Sequence, residues 1–98
     1  MTTWFVTRHM GALVWAEQQG FKIDKPVLHL DLTWIQAGDK VLGTLPVHLA
    51  GQVCEKGAEY YHLSLDVPEP LRGKELNLEN MLACNARLEK YLVTKEVD

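Results

Sequence analysis

The chain is predicted to be a small α/β domain: an open, mainly parallel, four-stranded sheet with helices on both faces. Three observations lead there. Short apolar segments, uncharged and rich in aromatic and β-branched residues, alternate with segments of helical spacing. Gly20 and Gly57 each stand where a helix would close at a left-handed residue. Two of the strand ends, Val6-Thr7-Arg8-His9 and Leu42-Gly43-Thr44, run straight into a helix, as in strand–helix–strand units.

Residues 3–7 read as a buried strand and residues 10–19 as a helix carrying Met10, Leu13 and Val14 inward. Lys25-Pro26 leads into a second strand at 27–31. Residues 33–36 suit one short helical turn, and Ala37-Gly38-Asp39 a reverse turn. Residues 40–43 are the third strand. Pro46 fits a first helical position, because its fixed φ suits that position and the missing N–H costs nothing there. Leu49, Ala50, Val53 and Cys54 form the inward stripe of this second helix. Residues 59–66 alternate, with Tyr61, Leu63 and Leu65 on one side and Tyr60, His62 and Ser64 on the other. After a loop at 67–70, Asn77 reads as a cap. Leu78, Met81, Leu82, Cys84, Leu88, Tyr91 and Leu92 then mark one long final helix, with fraying from Val93.

Ninety-eight residues make one domain. A chain of this size buries roughly 60–70% of its unfolded surface, enough for one core. Hydrophobic residues at 47% fit a globular protein. No apolar run approaches the ~20 residues of a membrane span, and Met1-Thr2-Thr3-Trp4 lacks the basic start of a signal peptide. Cys54 and Cys84 read as reduced thiols, which with the missing leader points to the cytoplasm. Ten basic against thirteen acidic residues argue against a long nucleic-acid partner, which needs a broad basic surface. A small anionic ligand needs only a local positive pocket.

The two strand–helix loops supply candidates for such a pocket. A helix start presents unpaired N–H groups and partial positive charge. Arg8 offers a planar fork for phosphate oxygens and His9 an imidazole; the plain alternative is a loop arginine paired with an acidic neighbour. Gly43 permits close backbone approach and Thr44 adds a hydroxyl, or the pair is simply a tight turn. His48 is either a site residue or a solvated one. His29 and His62 read as structural strand histidines, and Asp31 and Asp66 as loop caps. Arg72-Gly73-Lys74 is a lid over an anion or an exposed turn. Ser64 would be a nucleophile only beside a base. Dinucleotide, nucleoside-triphosphate and metal-ligand motifs are absent, so no metal or other cofactor is expected.

As a set, residues 2–9 with Gly11-Ala12, the run 43–50, His62-Leu63-Ser64-Leu65-Asp66, and Leu71-Arg72-Gly73-Lys74-Glu75-Leu76 resemble the Csx-sixteen family. These are small CRISPR-associated accessory proteins found beside type III CRISPR systems. The resemblance runs from Met1 to about Tyr91. It implies a Rossmann-like fold related to the CARF domains that sense cyclic oligoadenylates. It also implies a ring nuclease that opens cyclic tetra-adenylate, a second messenger, and so switches the defence off. Thr7, Arg8, His9, Gly43, Thr44, His48, Ser64 and Arg72 are the matching positions. Arg8, His9 and His48 are the catalytic candidates, and Thr7, Gly11, Gly43, Thr44, Ser64 and Arg72 the ligand-binding ones. The chemistry implied is attack by the ligand's own 2′-hydroxyl, without a metal, leaving 2′,3′-cyclic phosphate ends. A two-fold ring suits a homodimer with the ligand on its axis. Two alternatives stand beside this one: a sponge of the same fold that binds the ring uncut, and an interaction subunit docking through Trp34, Tyr60 and Tyr61.

Overall fold

The computed structural model describes residues 1–97. Strands β1 (Thr3–Val6), β2 (Lys25–Val27), β3 (Lys40–Gly43), β4 (Glu59–Ser64) and β5 (Arg87–Tyr91) form one sheet in the order β2-β1-β3-β4-β5. The first four are parallel; β5 runs antiparallel to β4. Helices α1 (Met10–Gln18) and α3 (Leu78–Ala83) share one face of the sheet, and α2 (Val47–Glu55) covers the other. The α/β class with helices on both faces is as expected, but the sheet has five strands, not four.

Period-two alternation of the strands sorts the core into two layers. Phe5, Leu42 and Leu63 pack with Ala12, Trp15 and Ala16 of α1 and Met81 of α3. Val41 and Tyr60, on the reverse side, pack with Ala50 and Val53 of α2. Gly20 and Gly57 both take positive φ just past the first two helices, as their places in the sequence required.

Residues 87–91 are strand where a helix was expected. The helical spacing is real from Leu78 to Met81, and Asn77 caps α3 with a reciprocal Asn77–Asn80 box. Asn85 then adopts a left-handed φ of 54° and turns the chain back. Without β5, β4 would be an edge strand with a row of unpaired backbone groups; pairing Tyr60 with Tyr91 through Ser64 with Arg87 closes that row. The gain outweighs a weak helical preference. Beyond β5, Val93 is half-buried against the α2 layer and its N–H reaches Cys54 Sγ, so this residue is docked and not frayed.

The second strand lies earlier than expected, at 25–27 in place of 27–31. Asp24 sets this register, since its N–H donates to Thr3 O and its carboxylate accepts from Thr3 N–H. Lys25 therefore meets Trp4, and β1 ends before Leu28 could find a partner. Pro26 is tolerated because β2 is an edge strand. His29 thus lies outside any strand, and Asp31 caps the 3-10 turn Leu32–Trp34 by accepting from Thr33 N–H.

Asp39 is the one buried charged side chain among the described residues. It accepts from Thr2 N–H at 2.9 Å, Gln36 N–H at 3.0 Å and Trp4 Nε1–H at 3.3 Å. Burial pushes its pKa up, but the hydrogen bonds from Thr2, Gln36 and Trp4 outweigh burial and leave it below the ordinary aspartate value.

Candidate functional site

The strand order creates a switch point. From β1 the chain crosses through α1 to β2 on one side; from β3 it crosses through α2 to β4 on the other. At the carboxyl ends of β1 and β3 the two connections diverge onto opposite faces, which opens a crevice of the kind where open α/β sheets bind ligands. The loops carrying Arg8-His9 and Gly43-Thr44 flank this point, with Val6 paired to Gly43. Gly43 has φ 152°, and a Cβ there would stand 2.7 Å from Val6 O, so glycine is needed for the close approach of the two strands.

On the α1 side of the crevice lies a cleft of about 500 Å³. Arg8 and His9 form one wall; Arg72, Gly73 and Lys74 form the facing loop; Leu65, Val67 and Leu71 supply apolar floor. Three cationic side chains thus border one cleft, with Glu75 the acidic group among them. Arg8 has no carboxylate within ion-pair distance among the described residues, unlike Arg87 and Lys90, which are paired. A solvated guanidinium without an internal partner remains available to an anion.

His9 is fixed from both sides. Its backbone N–H donates to Thr7 Oγ1 at 3.1 Å. Its ring Nδ1 accepts from Leu76 N–H at 3.3 Å, across a separation of 67 residues. Accepting at Nδ1 assigns the proton of the neutral ring to Nε2. The same bond latches the loop bearing Arg72 and Lys74 to the start of α1. Gly11 makes the latch possible, because a Cβ there would lie 2.5 Å from both Asn77 C and Leu76 O. The absent side chain therefore serves packing of α1 against the 76–77 backbone and not ligand approach. Gly11→Ala is expected to push Leu76 away from His9 and to cost about 1–3 kcal/mol. A thermal melt should show a drop of roughly 4–8 °C per kcal/mol.

The remaining candidates lie elsewhere. His48 is exposed on the first turn of α2 and borders a different cavity, with Val93, Thr94 and Lys95. It does not join Arg8 and His9, because α1 and α2 lie on opposite faces. Thr44 Oγ1 donates to Leu63 O at 2.9 Å, a structural bond. Ser64 Oγ donates to Glu89 Oε1 at 2.8 Å on the α2 side of the sheet, where Arg87 also approaches Glu89 and Asp66. Asp66 also accepts from Asn85 Nδ2–H. The proposed docking trio does not form a single face: Tyr60 is buried, Tyr61 projects to the other side of β4, and Trp34 stacks on Trp4 with ring centroids 5.6 Å apart. The Tyr60 hydroxyl lies 2.6 Å from His62 Nδ1 and accepts from Leu45 N–H. Burial raises its pKa.

The sequence reading gave no role to Glu75 and Leu76, which border the cleft, or to Glu89, the partner of Ser64 away from it. Glu89 is 25 residues from Ser64 and becomes visible only through β4–β5 pairing. Among the described residues no group of three or more His, Cys, Asp or Glu side chains could hold a metal ion, and no helix is long and apolar enough to cross a membrane. Cys54 and Cys84 are free thiols.

No curated protein and no solved structure matches the chain. A family model does match, over residues 4–94, which includes all of the sheet except Thr3 and the whole cleft wall. The chain therefore belongs to the family described as Putative CRISPR-associated protein (Cas_VVA1548).

Proposed function

We propose that this CRISPR-associated protein is a metal-independent ring nuclease that opens cyclic tetra-adenylate. The observation that carries the reading is the cleft at the switch point, where Arg8, Arg72 and Lys74 surround a doubly anchored His9. Membership of a CRISPR-associated family supports it, as does the resemblance of the sequence to the Csx-sixteen family. Each nucleotide of such a ring carries its own nucleophile, a 2′-hydroxyl beside the 3′ phosphate. Holding that hydroxyl in line with the leaving 5′ oxygen makes the reaction intramolecular, an effect that reaches about 7–11 kcal/mol in favourable cases. The guanidinium groups neutralise the phosphate oxygens as charge builds. His9, with its proton on Nε2, donates a hydrogen bond to the phosphate or the leaving oxygen, while solvent water takes the 2′-hydroxyl proton and returns one to the leaving 5′ oxygen.

One observation favours the sponge as a second reading. His9 Nδ1 is engaged by Leu76, so the neutral ring has no free lone pair to accept the 2′-hydroxyl proton. Cleavage then rests on positioning and charge alone, and binding without cleavage needs the same groups. Incubation with cyclic tetra-adenylate plus a chelator, followed by chromatography and mass spectrometry, separates the two. The expected products are linear and end in 2′,3′-cyclic phosphate. A ring that is retained but intact after hours at excess protein leaves the sponge; a ring that is not retained rejects both. The working unit proposed is a homodimer with the ligand on its two-fold axis. Sedimentation that gives a monomer both with and without ligand rejects that part.

A further inference from the structure

Beside the cationic cleft, and sharing Arg8 and His9 as a common wall, lies a second, smaller cavity of about 280 Å³. Its other walls are Met10 and Leu13 of α1 and Pro26, Val27 and Leu28 at the end of β2, with Thr7 at the back. Apart from the shared pair and Thr7, these side chains are apolar or aliphatic. Met10 is 66% exposed and Leu28 67% exposed, a costly arrangement for two large apolar side chains side by side unless something covers them.

We propose that this slot receives one purine base of the ligand whose phosphate is held at Arg8. The inference rests on the nucleotide reading of the cleft and adds a base-binding subsite to it. Three features select that occupant. The volume is below the roughly 300–1,000 Å³ of a pocket for a whole small molecule, and so suits one ring system. A polarisable thioether beside aliphatic walls favours a flat aromatic face over a charged or hydroxylated group. Thr7 Oγ1 already accepts from His9 N–H, so its own proton is left to donate to a ring nitrogen at the slot's back. In a nucleotide only a ribose separates phosphate from base, and here only the Arg8-His9 pair separates the cationic cleft from the apolar slot.

The chain has three methionines, and they report on different places. Met81 is buried in the core, and Met1 lies beside Gly38, next to Asp39 at the far end of the strands. The test is NMR of the full chain with ¹³C-labelled methionine methyls. The probe is the cyclic tetra-2′-deoxyadenylate ring, which lacks the attacking hydroxyl and stays intact. The expected result is a ring-current shift of the Met10 methyl, with Met1 and Met81 unmoved. Inorganic tripolyphosphate, which carries the charge without a base, should leave Met10 where it was. Leu28→Trp, which fills the slot from an exposed position, should weaken binding of the deoxy ring by about tenfold. It should leave tripolyphosphate binding unchanged. If the deoxy ring binds in an Arg8-dependent way while Met10 stays unmoved, or if Leu28→Trp binds it as tightly as the parent, the subsite is overturned and the phosphate cleft stands. If the deoxy ring does not bind at all, the nucleotide reading falls and the subsite with it.

Discussion

Arg8→Ala is expected to weaken binding of cyclic tetra-adenylate by about a hundredfold and to leave the fold intact. The magnitude follows from the geometry of the guanidinium. A charge-assisted hydrogen bond contributes about 1.5–3 kcal/mol, and loss of a two-pronged contact therefore approaches two powers of ten in affinity. Structural damage should be small for a specific reason. Arg8 is exposed and lacks an internal ion pair among the described residues, so truncation strands no partner. Calorimetric titration gives the affinity, and circular dichroism with a thermal melt checks the fold. Lysine at the same position should recover only part of the loss, because it keeps the charge but not the fork. Full affinity in the alanine variant would remove Arg8 from the site and, with it, the reading of the cleft.

The second large effect concerns stability and lies at the opposite end of the strands, just before the central strand β3. Asp39→Ala is expected to destabilise the protein by about 3–5 kcal/mol, since it leaves three donors without an acceptor: Thr2 N–H, Gln36 N–H and the Trp4 indole. Trp4 also stacks on Trp34, so the loss should register as a change in tryptophan fluorescence. The pH dependence has a definite sign. The folded protein holds the Asp39 pKa below its ordinary value, so the unfolded chain binds a proton first as the pH falls. The stabilisation is fully present above about pH 4 and is lost progressively below it. Denaturant melts between neutral pH and pH 3 should show that slope in the parent protein. In Asp39→Asn the part of the slope due to this residue should be missing. An unchanged slope would mean that the carboxylate carries no differential proton affinity.

Local chemistry decided which elements could be read from the sequence. The turns at Gly20 and Gly57 and the Asn77 cap depend on one residue's backbone preference, and they stand where the residues predicted them. Both switch-point loops could likewise be located from strand ends and Pro46, although the helix itself starts at Val47. What stayed hidden depends on distant parts of the chain. Residues 87–91 carry a helical spacing through Leu88 and Tyr91; only the open edge of β4 makes them a strand. The start of β2 is set by Asp24 reaching Thr3, which no periodicity reveals. The site divides in the same way. Arg8, His9 and Arg72 border one cleft as a local reading of loops would have it. The bond from Leu76 to His9 and the bond from Ser64 to Glu89 exist only because folding joins separate stretches. Gly11 shows how a reading can find the right residue for a different reason: its bareness admits a neighbouring backbone.

Because β5 reverses direction, the chain leaves the sheet at Tyr91 opposite Tyr60, on the same rim where Thr3 enters opposite Lys40. Arg8 and the loop of Arg72, Gly73 and Lys74 occupy the other rim. An affinity tag or fluorescent label joined at Met1, which lies beside Gly38 on the first of these rims, should therefore sit well clear of the ligand's route, and surface immobilisation through it should present the cleft to solution.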